Sequence, residues 1–144
     1  MPTISPSEID SATNWIFLDT RPETEFGVSH IPGARRIGYM PREAHVLEGL
    51  DKDQPIVVYC TVGWRSSKVG AWLMTLGFTR VYNLYGGIIV WANAGGQLHD
   101  PKGIQPGACM FTVRILKMAE KRGSRLVVQN YYLASFSFVQ SVIF

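Results

Sequence analysis

Apolar residues in the first hundred positions fall in short unbroken runs rather than alternating with polar ones. Residues 15–19 read Trp-Ile-Phe-Leu and close on Asp19, and residues 55–60 read Pro-Ile-Val-Val-Tyr and close on Cys60. Runs that are apolar on both faces suit strands of a parallel sheet covered by helices on either side. Residues 80–84 repeat the pattern, and residues 34–38 give a weaker version of it. Between positions 60 and 80 the period changes. Val69, Trp72, Leu73 and Leu76 recur at helical spacing over residues 66–76, with serines at the start as candidate caps and Gly77 placed to end the helix. Residues 40–50 and 88–94 read as two shorter helical pieces.

Strands that alternate with helices predict an α/β fold, a parallel sheet flanked by helices on both faces and joined by right-handed crossovers. Trp15, Trp72 and Trp91 are expected as core aromatics. Ligands bind such sheets beyond the carboxyl ends of the strands. Cys60 stands at one of these ends, on the turn into the best helix of the chain.

Length and composition agree with one compact core. The chain has 144 residues, 47% of them hydrophobic and 17% charged, which excludes a wholly disordered chain. Its first ten positions hold Pro2, Pro6, Glu8 and Asp10 and lack the basic start and apolar run of a secretory signal, so a cytoplasmic setting is expected. Cys60 and Cys109 are too few for a disulfide framework, and Cys109, in an apolar Ala-Cys-Met-Phe stretch, reads as structural.

The net charge of +3 is unevenly distributed. Residues 1–101 carry eight Lys/Arg against ten Asp/Glu, whereas residues 102–144 carry six against Glu120 alone. Two prolines and two glycines between positions 99 and 107 mark the boundary, predicting a domain over 5–101 and a basic, apolar C-terminal extension over 102–144. In the extension, Phe111, Ile115 and Met118 recur at helical spacing opposite Arg114, Lys117, Lys121 and Arg122. A solvated amphipathic face is favoured there over membrane contact, and no nucleic-acid partner is expected. Residues 126–144 carry no charge but include Gln129, Asn130, Gln140 and three serines, and residues 135–138 alternate as a strand does. An added strand, a mobile tail and a weak membrane anchor stay open as readings.

The sequence Cys-Thr-Val-Gly-Trp-Arg-Ser at 60–66 carries the candidate chemistry. Joining a buried strand to a helix N-terminus, it brings backbone N–H groups and the positive end of the helix dipole toward the cysteine sulfur. Arg65 adds a cation, and Gly63 can take the positive φ that a tight loop needs. Such surroundings favour a nucleophilic thiolate with an oxyanion site around it. The plainer reading, a small buried hydrophobe at a strand end, is disfavoured by the order CxxGxRSS. His30, His45 and His99 show no ligand spacing with each other or with the cysteines, so no metal site is expected. His30 reads as a turn histidine bonded to backbone rather than a base. Gly86 and Gly87 lack the GxGxxG pattern, which gives no reason to expect a nucleotide.

Four separated motifs within residues 5–101 resemble the single-domain rhodanese sulfurtransferases. Phe-Leu-Asp-Thr-Arg at 17–21 looks like the family's strand-end Asp-x-Arg; SHIPGA at 29–34 is similar to its GHIPGA turn, with Ser29 in place of glycine. CTVGWRS at 60–66 matches its catalytic loop, and YGGIIVWANAG at 85–95 its closing glycine-tryptophan motif. The resemblance implies sulfur transfer through a persulfide on Cys60, with no metal or organic cofactor. Thr61, Val62, Gly63, Trp64 and Ser66 would supply the anion cradle and Arg65 would attract a small anionic donor such as thiosulfate. Arg21 would also lie near the donor, unless it forms an i, i+4 ion pair with Glu25. The sulfur acceptor would be a small thiol, cyanide or a protein, with Trp64 either restricting the donor or docking that partner.

Two other readings stay open. Phosphatases and arsenate reductases related to this fold use Cys-x5-Arg, whereas Arg65 follows Cys60 at Cys-x4-Arg, a loop one residue shorter. The sequence also offers no clear general acid for a phosphate leaving group. A catalytically weak module that binds a partner or an anion is the other alternative.

Overall fold

The computed structural model describes residues 1–100. The expectations for residues 102–144, including Cys109, lie outside the described residues. Five parallel strands form one sheet: β1 (Thr3–Ile4), β2 (Ile16–Asp19), β3 (Arg35–Arg36), β4 (Ile56–Tyr59) and β5 (Val81–Leu84), in the order β1-β5-β4-β2-β3. Three α-helices accompany it, α1 (Glu23–Phe26), α2 (Trp64–Thr75) and α3 (Gly87–Asn93). This is the α/β architecture expected from the unbroken apolar runs.

Those runs are apolar on both faces because both faces are covered. From β4, Val57 and Tyr59 point into one core with Ile4, Ile31, Leu84, Ile88 and Ile89, the last two from α3. Ile56 and Val58 point into the other with Leu18, Ile37, Val69, Leu73 and Val81, where Val69 and Leu73 come from α2. Every residue of β4 is buried. Trp15 and Trp91 pack half-buried against the α3 side, and Trp72 packs half-buried against the α2 side. These aromatics therefore close the rims of the core instead of filling its centre.

The structure corrects the sequence expectations at several points. α2 begins at Trp64, two residues earlier than expected, and no serine caps it. Its N-cap is Gly63 in the left-handed region, Ser66 is buried in the first turn, and Ser67 Oγ donates to the Trp64 carbonyl. Leu76, expected on the buried face, is exposed; Phe78, just beyond the helix, fills the core instead. Gly77 ends α2 as expected, with φ of 91°. Residues 40–50 form no α-helix and contain only a 3-10 turn at Ala44–Leu47, while Val46, Leu47 and Leu50 still pack on the α2-side core. The edge strand β1 was not foreseen, and it begins at Thr3, ahead of the expected domain start at residue 5. No helix among the described residues is long and apolar enough to cross a membrane.

Strand register positions the site. Leu18 and Asp19 lie opposite Val58 and Tyr59, and the Thr20 amide extends the ladder to the Tyr59 carbonyl at 2.9 Å. The two central strands therefore end together. The chain after Asp19 and the chain after Tyr59 leave the sheet side by side, as the switch-point rule for open α/β sheets anticipates.

Candidate active site

Cys60 is the first residue past β4 and is only 1% exposed. Its Sγ accepts a hydrogen bond from the Gly63 amide at 3.0 Å. Gly63 has φ of 100°, and this left-handed turn folds the loop back so that an amide meets the sulfur. α2 starts at the next residue, so the positive end of its dipole faces the same place. A backbone N–H and a helix N-terminus aimed at one sulfur form a cradle that suits an anion built on that sulfur.

The far side of the loop is held by its carbonyls. The Ile88 and Ile89 amides, from the first turn of α3, donate to the carbonyls of Cys60 and Thr61 at 2.9 and 3.4 Å. This approach needs a glycine beside it: a Cβ on Gly87 would lie 2.4 Å from the Cys60 carbonyl oxygen. The Gly63 carbonyl accepts from Asn83 Nδ2 of β5 at 3.0 Å and from the Ser67 amide at 3.2 Å. The carbonyls of Cys60, Thr61 and Gly63 are thus engaged behind the loop, and the Gly63 N–H turns toward the sulfur.

Arg65 was expected as the cation that attracts an anionic donor. Its guanidinium pairs with Glu25 of α1, with Nη1 and Nη2 at 3.3 and 3.1 Å from the two carboxylate oxygens. Nη2 also donates to Thr61 Oγ1 at 2.8 Å, and Thr61 Oγ1 donates to Glu25 at 3.0 Å. Burial pushes the Glu25 carboxyl up, but the Arg65 hydrogen bonds and charge outweigh it and hold the group below the ordinary carboxylate range. The charge of Arg65 is therefore balanced, and the triangle ties α1 to the loop.

Arg21, considered as a donor contact or as an ion-pair partner of Glu25, makes its ion pair with Asp19, and Glu25 adds a weaker electrostatic pull on its charge. It is 1% exposed and grips the Asp19 carboxylate, with Nη2 at 2.6 Å from Oδ2 and Nε at 3.0 Å from both oxygens. Nη2 also donates to the Ser29 carbonyl at 2.6 Å. Burial works against its charge, yet Asp19 holds the guanidinium above its ordinary value. Tyr59, directly beneath, takes the Ile31 amide on its hydroxyl at 3.2 Å. The Asp-x-Arg motif and the SHIPGA turn are thus one buried polar network next to the loop.

The remaining expected residues divide between wall and mouth. Val62 packs half-buried against the α3-side core, and Ser66 is fully buried with no hydrogen-bond partner for Oγ among the described residues. Trp64 is 61% exposed and leans on Tyr39 with ring centroids 6.0 Å apart. His30 behaves as read from the sequence: its Nδ1 donates to the Phe26 carbonyl at 3.1 Å, and its ring stacks on Phe26. Sequence reasoning missed Glu25 as the partner of Arg65 and missed Asn83, and it placed Gly87 in the closing motif without its role beside the Cys60 carbonyl. A polar Asn in an otherwise apolar strand run and a doubled glycine after it were the available signals.

The rhodanese-like domain family matches residues 7–94. A protein named sulfurtransferase from Allochromatium vinosum is 36% identical over 88 residues, covering 61% of this chain and 81% of that protein. The tRNA uridine(34) hydroxylase of Erwinia tasmaniensis is 39% identical over 83 residues, covering 54% of this chain; the match spans only 23% of that relative's length. Among solved structures, a thiosulfate sulfurtransferase from Pseudomonas aeruginosa superposes with a TM-score of 0.61 at 27% identity, covering 69% of this chain and 20% of that one. A rhodanese-like domain protein from Staphylococcus aureus shares the fold, with a TM-score of 0.57 at 22% identity over 74% of this chain and 100% of that one. With the loop, the Asp-x-Arg network and the closing glycines assembled around one cysteine, and with this family matching most of its length, the chain belongs to the rhodanese-like domain family.

Proposed function

We propose that the chain is a sulfurtransferase that carries a sulfane sulfur as a persulfide on Cys60. The observation that carries this reading is the Cys60 sulfur at the carboxyl end of the central strand, with the Gly63 amide 3.0 Å away and α2 starting beside it. The Cys60 thiolate attacks the outer sulfur of thiosulfate or a similar anionic donor. The donor's S–S bond breaks, its electron pair leaves with sulfite, and Cys60 holds the sulfur as a persulfide anion. The loop N–H groups stabilise that anion. Cyanide, a small thiol or a protein thiol then attacks the terminal sulfur, and the Cys60 thiolate is released with the electron pair of the broken S–S bond. The cycle balances without a metal or organic cofactor.

The Glu25 pairing supports a role for Arg65 in holding the loop rather than in attracting the donor. Arg65→Ala is therefore expected to slow sulfur loading from thiosulfate and from an uncharged persulfide donor by the same factor, on the order of tenfold. A loss confined to thiosulfate would restore Arg65 as the donor-binding cation. The same pairing disfavours a phosphatase, since no free guanidinium remains in the loop to clamp a phosphoryl group. The activity named for the hydroxylase relatives belongs to proteins of which this match spans 23%, and it is not proposed for this chain.

The test is intact mass after incubation with thiosulfate in the absence of reductant. A gain of one sulfur atom on the Cys60 peptide is expected, lost on adding cyanide with stoichiometric thiocyanate released. No gain with thiosulfate or mercaptopyruvate would leave the binding-module reading, and turnover of an aryl phosphate would restore the phosphatase.

A further inference from the structure

One face of α2 continues outward from the candidate site. Trp64, Lys68 and Trp72 follow at i, i+4 and i+8, so they lie on one side of the helix over about 12 Å. The chain at 39–42 lies across this side: Tyr39 leans on Trp64, and the Arg42 guanidinium sits 4.9 Å from the centre of the Trp72 ring. The Lys68 ammonium lies 6.0 Å from the Trp64 ring. At 75% and 61%, Met40 and Trp64 are the two most exposed large apolar side chains among the described residues.

This face also carries charge that nothing among the described residues balances. Neither Lys68 nor Arg42 has an acidic group within ion-pairing distance among the described residues. The neighbouring acids are occupied elsewhere, Glu43 and Glu23 by Arg36 and Glu25 by Arg65. Exposed Trp and Met between uncompensated cations resemble the anchoring residues of protein interfaces, where an aromatic fills a pocket and charges set register. Two cations suit a short acidic segment. They are too few for a nucleic acid, whose binding relies on neutralising many phosphates, and residues 1–101 carry more acids than bases.

We propose that the face formed by Met40, Trp64, Lys68, Trp72 and Arg42 docks an acidic, apolar-bearing peptide segment of the protein that accepts sulfur from Cys60. This inference rests on the sulfurtransferase reading for its acceptor, but the docking itself is measurable apart from it. Trp64 is both the first residue of α2 and the fourth after Cys60, so a peptide seated on this face reaches the mouth of the site.

The probe is a six-residue peptide with three acidic side chains, a leucine, a phenylalanine and a terminal cysteine, compared with its amide isostere. Full-length protein is loaded with thiosulfate, freed of donor and mixed with each peptide at low salt. The acidic peptide is expected to take sulfur about tenfold faster than the isostere. The Lys68→Glu, Arg42→Glu double variant is expected to remove that advantage while discharge to cyanide stays unchanged. Lys68→Glu alone, at an exposed position, keeps the comparison available if Arg42→Glu disturbs its loop. Equal rates for the two peptides, or an advantage that survives charge reversal, overturns the proposal.

A cysteine-free acidic peptide read by tryptophan fluorescence separates the two failures. If wild-type protein never loads sulfur yet binds this peptide in a Lys68-dependent way, the sulfurtransferase reading fails and the docking face stands. If it loads and discharges to cyanide but shows no Lys68-dependent binding, the docking face fails alone. Stronger competition by a thiol-free oligoribonucleotide than by the acidic peptide would assign the face to nucleic acid and overturn the proposal.

Discussion

Cys60→Ser is expected to abolish sulfur loading and to cut thiosulfate-to-cyanide turnover by at least about 1,000-fold. Serine's oxygen stays protonated near neutral pH and attacks a sulfane sulfur poorly, so the first step loses its nucleophile. The loss reports chemistry rather than folding. Serine is close in size to cysteine, and its oxygen can still accept the Gly63 amide that now reaches Sγ at 3.0 Å. The carbonyl that Ile88 uses is backbone and does not change. Thermal unfolding should therefore stay within a few degrees of wild type, a shift of about 1 kcal/mol. A serine variant that still gains one sulfur atom would move the persulfide to another residue and end the mechanism proposed above.

Arg21→Met should give the largest loss of stability in the domain, about 3–5 kcal/mol. The substitution leaves the Asp19 carboxylate, 0% exposed, with its guanidinium partner gone. It also removes the donor to the Ser29 carbonyl. An uncompensated buried charge is the costly product here, more than the loss of the pair itself. The double variant Asp19→Leu, Arg21→Met should accordingly recover much of the loss. Denaturant unfolding followed by circular dichroism reads both. If Arg21→Met melted like wild type while its KM for thiosulfate rose, Arg21 would be a donor contact and the buried-network account would be wrong.

How legible these features were in the sequence follows from how local their causes are. β2, β4 and β5 were readable because a strand covered on both faces needs an unbroken apolar run, and Ile56–Tyr59 provides one. The start of α2 was misplaced because Gly63 caps it through backbone conformation, whereas cap rules look for a side-chain oxygen. Met40 to Leu50 looked helical because its apolar spacing is real, yet these side chains reach the core from a 3-10 turn and a loop. β1 consists of two residues, below the length at which any periodicity shows.

At the site, Cys60 and its loop were legible from seven consecutive residues. The partners of that loop were not. Arg65 meets Glu25 across 40 positions of sequence and Asn83 meets Gly63 across 20, and nothing local marks either pairing. Arg21 showed the opposite failure. Helical spacing to Glu25 suggested a local ion pair, but Asp19, two residues away at the end of β2, takes the guanidinium instead.

The clamp behind the Cys60 loop bears on how the site tells one anion from another. With Ile88 and Ile89 of α3, Asn83 of β5 and Glu25 of α1 all fastened to six consecutive residues, the loop forms an arc of set radius. An extra residue cannot swell it inward, because the missing Cβ of Gly87 leaves no space beside the Cys60 and Thr61 carbonyls. It would have to bulge outward, displacing Trp64. On the proposed sulfur-carrier reading, selectivity for a single sulfur atom over a phosphoryl group becomes a matter of gauge: the ring is sized before any anion arrives, and conversion to a wider ring would mean remaking three neighbouring elements rather than inserting one residue.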